Sequence, residues 1–251
     1  HGEWDVLGKL KTVDGSFTTS SQWGTGNVNI EPQGSVVVTN NSDGSLFVFD
    51  NTLSGSGTLL VNFSGSENGT DLYTPTFKIQ QGTISGFTGM VELAGEKNKK
   101  VVYILDSDEL STSGIRVNDN SVLSVGRDDS SKETFTLGTL DIAGGELNIG
   151  DIQTGSPTSY KTIRITKKLN ADGEGTVRID TSAGFINAVP ATESELQTLP
   201  LMEQDDGLQK TSMMLVNAKG AEIIGSAGGL SLVDQNGKVL SNSLPSQIIQ
   251  N

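Results

Sequence analysis

Gly138-Thr139-Leu140-Asp141-Ile142 and, three residues on, Gly145-Glu146-Leu147-Asn148-Ile149 are two copies of the short motif that decides the fold of this chain. The motif is a Gly, any residue, and then two β-branched or Leu positions that flank one more residue. Each copy predicts a turn followed by a short strand whose alternate side chains point to one side. Further copies begin at Gly26, Gly34, Gly44, Gly57, Gly89, Gly175 and Gly228.

One such strand cannot bury its apolar side alone, so the copies must stack on one another, as in a β-solenoid. The copies at Gly26, Gly34, Gly44 and Gly57 begin 8, 10 and 13 residues apart, which is a strand plus a tight turn. Two or three strands would therefore form one repeat of roughly 20–30 residues. An antiparallel β-sandwich also has strands at this spacing and is the alternative fold. The residues expected to point inward near the start are Phe17, Val28, Ile30, Val36, Val38, Leu46 and Val48.

The composition indicates a thin, elongated core. The chain has 251 residues, of which 34% are apolar and 5% aromatic, below the usual share of a compact domain. The formal charge is −13, and no basic groove that would bind nucleic acid is visible. There is no Cys, so thiol chemistry and disulfides are excluded. No apolar run approaches the ~20 residues of a membrane helix, and the opening residues, which lack Met, indicate a piece or mature form of something longer.

The chain divides into three predicted parts. Residues 1–188 carry the repeated strands. Residues 189–210 are acidic, and Thr192 and Glu195 fit a capping box, so a side excursion with a possible short helix is expected there. Residues 211–251 return to strands and form the predicted C-terminal cap, in which Asn236-Gly237 predicts a hairpin.

Few residues offer chemistry. The only His is His1, so a Ser-His nucleophile or an imidazole metal site is not expected. Carboxylates for calcium or for glycoside hydrolysis are present at Asp106-Ser107-Asp108-Glu109 and at Asp128-Asp129. Solvated turns explain these acids better, because Asp is an expected turn residue. The sequence therefore predicts no catalytic, cofactor-binding or metal-binding residue.

Two further groups of residues have a structural and a binding interpretation. Lys97, Lys99 and Lys100 form a basic tip that would suit an acidic partner, although a lysine-rich turn also protects a strand edge. The aromatic residues would be stacking platforms for a carbohydrate or, more simply, core fillers. They are Trp4, Trp23, Tyr73, Tyr103 and Tyr160.

The stretches that begin at Leu53, Phe87 and Gly138 resemble the passenger repeats of bacterial type V autotransporters, above all in the phrase Phe87-x-Gly89-x-Val91-x-Leu93. The resemblance covers about two-thirds of the chain and is nearest to the self-associating, adhesive passengers of the AIDA type. It implies a right-handed parallel β-helix, with residues from about 213 to 240 similar to the autochaperone cap of that family. The lack of Cys agrees with export across the outer membrane. No protease or lipase motif of the family is present.

The expected function follows from these observations. The chain is expected to be a non-enzymatic passenger fragment on the cell surface of a Gram-negative bacterium that mediates aggregation, biofilm formation or host attachment. Its expected partners are a second copy of itself or a host protein or glycan, with an outer-membrane β-barrel translocator downstream and no nucleic acid or cofactor. Two alternatives remain open. The chain would be a stalk and folding seed for a functional tip elsewhere, or a polysaccharide hydrolase or lyase acting through Asp106, Asp108, Asp128 and Asp129.

Overall fold

The computed structural model describes residues 4–6, 9–11, 26–40, 46–63, 76–80, 83–96, 100–126, 132, 134–149, 162–170, 174–179, 202–204, 215–217, 222–224, 230–233 and 239–241. Within these residues the protein is all-β and contains no helix. None of them forms a helix of the length and apolarity that a membrane span requires. The strands are β1 (Trp4–Val6), β2 (Lys9–Lys11), β3 (Val28–Ile30), β4 (Ser35–Asn40), β5 (Leu46–Phe49), β6 (Leu53–Gly55), β7 (Thr58–Phe63), β8 (Thr76–Ile79), β9 (Met90–Leu93), β10 (Val101–Leu105), β11 (Gly114–Asn118), β12 (Ser121–Val125), β13 (Thr134–Ala143), β14 (Glu146–Ile149), β15 (Thr162–Asn170), β16 (Gly175–Ile179), β17 (Met202–Gln204), β18 (Leu215–Asn217), β19 (Glu222–Ile224), β20 (Leu230–Val233) and β21 (Val239–Ser241).

The strands form three sheets. A 10-stranded sheet has the order β17-β18-β15-β13-β11-β9-β7-β4-β2, with β19 paired to β15, and an 8-stranded sheet has the order β21-β20-β16-β14-β12-β10-β8-β5. A 3-stranded sheet, β1-β3-β6, lies at the N-terminal end. From β9 to β16 the chain alternates between the two large sheets, so each passage adds one strand to both. We call one such passage a rung.

Strands of successive rungs pair in parallel and in register. Except for β20 and β21, every strand pair among the described residues is parallel, which agrees with stacked solenoid sheets and not with the antiparallel β-sandwich alternative. Hydrogen bonds between neighbouring rungs join residues that are 25 residues apart at Asn51 and Gly26 and 32 apart at Arg178 and Glu146. The repeat of roughly 20–30 residues that the sequence predicts is therefore close to the observed one.

Inward side chains stack into columns along the sheets. In the 10-stranded sheet one column consists of Val36, Leu59, Val91, Ile115, Leu140 and Leu169, all of which are fully buried. In the 8-stranded sheet we call the corresponding set the inner column. It consists of Phe47, Phe77, Tyr103, Leu123, Leu147 and Val177. Full burial of a side chain of this size contributes about 1.5–3 kcal/mol, so the columns are the main source of stability.

Four of the inward residues predicted at the start of the chain are confirmed, and two are wrong. Val28, Ile30, Val36 and Val38 are buried. On β5 the sides are exchanged, because Leu46 is 36% exposed and Val48 is partly exposed while Phe47 and Phe49 are buried. A strand has a period of two, so a shift by one residue reverses every side chain. The rings of Phe47 and Phe77 stack with centroids 5.6 Å apart, and this contact favours the phenylalanines inside. Phe17 lies outside the described residues.

In the motifs at Gly57, Gly89, Gly138 and Gly145 the opening Gly marks a close approach to backbone atoms of other segments. At Gly89 an added Cβ would lie 2.0 Å from the carbonyl oxygen of Gly57, the Gly that opens the motif one rung below. At Gly57 the added Cβ would lie 2.5 Å from the carbonyl oxygen of Gly34. The sequence interpretation of these glycines as turn residues is thus incomplete, since it is the distance between rungs that excludes a side chain.

Strands β10 and β12 of the 8-stranded sheet differ on their outer faces from strands β7 and β9 of the 10-stranded sheet. All five residues of β10 and all five of β12 are buried, so this part of the 8-stranded sheet is covered on both sides. Such strands read as continuous apolar runs, as Val101 to Leu105 does. On β7 and β9 of the 10-stranded sheet, by contrast, buried and partly exposed residues alternate. The 10-stranded sheet therefore presents a row of accessible outer side chains.

The C-terminal strands continue the stack. β18 and β19 pair in parallel with β15, and β20 pairs in parallel with β16. β20 and β21 are antiparallel, which confirms the predicted hairpin. β17 lies inside the acidic segment 189–210, and at Met202 the chain is extended and not helical. Thr192 and Glu195 lie outside the described residues.

Candidate functional site

The turn between β10 and β11 is held firmly against the core. We call residues 106–113 the corner turn. Its backbone closes on itself through hydrogen bonds from Ser111 N to Asp108 O (3.0 Å) and from Ser113 N to Leu110 O (3.2 Å). Leu110 is fully buried and anchors the turn. The acids that the sequence singles out here are therefore fixed in position.

Glu109 lies inside the protein at this turn. Its side chain is 8% exposed and accepts a hydrogen bond from the Tyr103 hydroxyl at 3.1 Å and another from Ser107 Oγ at 2.5 Å. Burial raises the pKa of Glu109 to about 7, against the hydrogen bonds from Ser107 and Tyr103, which lower it. Burial and the neighbouring Glu109 carboxyl also raise the pKa of Tyr103 well above its usual value, so the phenol stays neutral.

The other two acids of the corner turn point to different rungs. Asp106 pairs with Lys78 of β8 at 3.3 Å. Asp108 pairs with Lys132 at 2.9 Å and accepts a hydrogen bond from the backbone N–H of Thr136 at 2.6 Å. The turn thus joins the rung below it to the rung above it.

The carboxylates proposed for hydrolysis are not brought together within the described residues. Asp106 and Asp108 are engaged by separate lysines, while Asp128 and Asp129 lie outside the part that the structure describes. No group of three or more His, Cys, Asp or Glu side chains that would hold a metal is found in the described part.

A pocket of about 520 Å³ opens beside the corner turn. Ile84, Gly86 and Thr88 line it from the segment that leads into β9, and Lys132 lines it from the segment before β13. The corner turn contributes Ser107, Asp108, Glu109, Ser111 and Thr112. The three segments occupy equivalent places in successive rungs, because β9, β11 and β13 are neighbours in one sheet.

Lys100, the one residue of the predicted basic tip that the structure describes, forms an ion pair. Lys100 lies 3.6 Å from Glu146, and Arg178 binds the same carboxylate through two hydrogen bonds of 2.7 and 2.9 Å. Burial raises the pKa of Glu146, but the hydrogen bonds and charge of Arg178, together with Lys100, outweigh it and hold the pKa below its usual value. Lys97 and Lys99 lie outside the described residues.

Accessible side chains in register form a row on the 10-stranded sheet. We call this row the outer ladder. It consists of Leu60, Glu92, Arg116, Asp141 and Asn170. Arg116 lies 3.7 Å from Asp141, and Glu92 accepts a hydrogen bond of 2.9 Å from Asn118. Acidic and basic groups therefore alternate along the ladder from Glu92 through Arg116 to Asp141.

Sequence reasoning missed the burial of Glu109 and found the neighbouring features only in part. Tyr103 is fully buried, which confirms the core interpretation for this aromatic residue. Trp23, Tyr73 and Tyr160 lie outside the described residues. Asn120, which the sequence places at a strand end, adopts a left-handed conformation with φ of 57°. The sequence offered one signal for the burial of Glu109. The next residue is Leu110, an apolar residue that is expected to turn inward and bring this part of the turn toward the core.

Comparison with known proteins finds a sequence relative but no matching family model and no matching solved structure. No family model matches the chain, and no solved structure matches it. The chain is 27% identical over 239 residues to the uncharacterized protein YuaQ of Escherichia coli (strain K12). The matched region covers 94% of this chain but 16% of that relative, so the chain corresponds to a minor part of a much longer protein.

Proposed function

We propose that the chain is a non-enzymatic, surface-displayed module of a right-handed parallel β-helix that mediates self-association or attachment through the outer ladder. The observation that carries the proposal is the ladder itself, in which Glu92, Arg116 and Asp141 lie in register on three neighbouring strands. A row with alternating charges can form ion pairs with an oppositely arranged row on a second molecule. The resemblance to AIDA-type autotransporter passengers supports the same function and a location on the cell surface.

The energetics favour a binding mode that depends on length. Each hydrogen bond or exposed ion pair across such a surface contributes about 0.5–1.5 kcal/mol or less. Several rungs bound together would add their contributions, so that affinity grows with the number of rungs engaged. The backbone of the ladder is already held by parallel strand pairing, so binding orders only its side chains, at about 0.5–1.5 kcal/mol for each long one.

Self-association is tested with one substitution on the outer ladder and a matched substitution elsewhere. Glu92→Lys reverses one charge of the ladder, and Asp50→Lys makes the same change of net charge at an exposed position after β5. We expect the 251-residue chain and its Asp50→Lys variant to form dimers or larger species as concentration rises, and the Glu92→Lys variant to stay monomeric. Analytical ultracentrifugation measures the masses, and circular dichroism establishes that all three proteins are folded.

Two results would count against the proposal. One is a monomeric wild-type chain at every concentration together with cells that display the chain and settle no faster than controls. The other is equal association of Glu92→Lys and the wild type. A folded chain that neither associates nor attaches, while a longer parent protein does, would favour the stalk and folding-seed function instead.

The hydrolase or lyase alternative requires two carboxylates that converge on a substrate. The described acids of the corner turn are each engaged with other parts of the protein, which gives this alternative less support. Release of reducing ends from a panel of acidic and neutral polysaccharides would favour it over the adhesion module.

A further inference from the structure

The pocket beside the corner turn is built from three successive rungs and is separate from the outer ladder. Its segments precede β9, β11 and β13, whereas the ladder residues lie on the strands themselves. Its volume of about 520 Å³ is within the range of small-molecule sites. Because each rung is held to the next by the parallel register, the pocket wall is preformed.

Hydroxyl groups make up much of the wall. Thr88 and Ser111 make no side-chain hydrogen bond within the described part of the chain, so their hydroxyls are available to a ligand. Thr112 and Ser107 donate their protons to Phe87 O and to Glu109, which leaves oxygen lone pairs that accept hydrogen bonds. Ile84 adds an apolar patch.

Gly86 leaves open space in the lining of the pocket. This residue has φ of +74°, and an added Cβ would meet nothing within 4 Å. A backbone without a side chain at this point leaves space for a bulky, rigid ligand to approach the wall.

The charges of the pocket select against an ion. Lys132 and Asp108 form an ion pair at the rim, with side chains 27% and 44% exposed, and the Glu109 carboxyl lies deeper. An anion would meet the carboxyls and a cation would meet the ammonium group. A neutral molecule with several hydroxyl groups satisfies both kinds of partner, since a hydroxyl donates to a carboxylate and accepts from an ammonium group.

We infer that this pocket binds a neutral saccharide unit. The ring would lie over Gly86 and Ile84, and its hydroxyls would hydrogen-bond Thr88, Ser111 and the Lys132–Asp108 pair. The raised pKa of Glu109 is in accord with this, because a carboxyl that is partly protonated near neutral pH both donates and accepts. None of the described residues that line the pocket is aromatic, so the dissociation constant should be on the order of 1 mM.

The inference is tested by ligand-observed NMR with the purified 251-residue chain. The neutral probes are glucose, galactose, mannose and N-acetylglucosamine, and the charged controls are glucuronate and glucosamine. Thr88→Leu removes a hydroxyl of the pocket and adds a larger apolar side chain at an exposed position, and Gln80→Leu places the same side chain at an exposed position outside the pocket. We expect at least one neutral sugar to bind, a loss of tenfold or more in affinity for Thr88→Leu, and unchanged affinity for Gln80→Leu.

The possible outcomes separate this inference from the proposed function. Sugar binding that is unchanged in Glu92→Lys would show that the pocket acts without the outer ladder. Failure of every neutral sugar to bind the wild type, or equal binding by Thr88→Leu, would overturn the saccharide pocket. Tighter binding of glucuronate or glucosamine than of the neutral sugars would overturn the ligand class.

Discussion

The inner column of the 8-stranded sheet and the outer ladder of the 10-stranded sheet are two rows of in-register side chains with opposite roles. In the inner column the rings of Phe47, Phe77 and Tyr103 succeed one another with centroids 5.6 and 5.7 Å apart, and all three are fully buried. In the outer ladder Arg116 and Asp141 meet at 3.7 Å, with side chains 47% and 13% exposed. The inner column requires apolar residues, because their burial between neighbouring rungs stabilises the stack. The outer row can change its residues at little cost in stability, and so it is the row on which a binding function can develop.

The largest effect is expected where the inner column is interrupted. Phe77→Ala removes a ring that packs against Phe47 on one side and Tyr103 on the other. The variant should lose about 3–5 kcal/mol of the free energy of unfolding, because a large cavity remains in a tightly packed core. Urea titration followed by circular dichroism measures the loss, and Phe77→Leu should lose clearly less. A loss below about 1 kcal/mol for Phe77→Ala would remove the distinction between the two rows.

A second prediction concerns Glu109, which meets the inner column at Tyr103. The pKa of its carboxyl is about 7 in the folded protein, compared with 4.5 for an ordinary Glu. The folded state therefore binds the proton more tightly than the unfolded state does. The resulting contribution to stability is complete below pH 4.5 and is lost as the pH rises to about 7, with a total on the order of 3 kcal/mol.

Glu109→Gln tests this pH dependence directly. Its amide cannot ionise but still accepts a hydrogen bond from Tyr103, so the variant should lose the decline in stability between pH 4.5 and 7. Asp106 is the nearby charge that contributes to the raised pKa, and Asp106→Asn is therefore a useful control that should reduce the decline only slightly. The free energy of unfolding at a series of pH values gives both results. An equal slope in the Glu109→Gln variant and the wild type would contradict the burial of an ionisable group here.

The smallest effect is expected on the outer ladder. Arg116→Ala removes the ion pair with Asp141 and the hydrogen bond to Asn118, both at the surface. The free energy of unfolding should change by less than about 1 kcal/mol, because exposed ion pairs contribute little. The same urea titration measures it. A loss above about 2 kcal/mol would mean that the outer ladder supports the fold as the inner column does.

Much of the strand pattern follows from the sequence alone. The motif copies that begin at Gly89, Gly145, Gly175 and Gly228 coincide with the observed strands β9, β14, β16 and β20. The alternation of apolar residues and turn residues is a local signal, so it predicts a strand without knowledge of the neighbouring rungs. The hairpin between β20 and β21 is likewise marked by residues adjacent in sequence.

The candidate site depended on contacts between rungs. The sequence singled out the acids at 106–109 but gave no reason for Asp106 to bind Lys78, for Asp108 to bind Lys132 or for Glu109 to be buried. The Lys78–Asp106 and Lys132–Asp108 partners are 28 and 24 residues apart. The pocket has the same origin, because its wall is assembled from three segments that are distant in sequence.

By itself, then, the sequence determined that the chain forms short strands that must stack, since each strand carries one apolar side that water disfavours. The tertiary structure alone decided which side of β5 faces inward, because Phe47 gains its stacking partner only when Phe77 of the next rung lies beside it. It also decided the pKa of the buried acids, since burial without a cation raises the pKa of Glu109 to about 7 while Arg178 holds the pKa of Glu146 below its usual value. These properties belong to pairs of residues that only the stacking of rungs brings together.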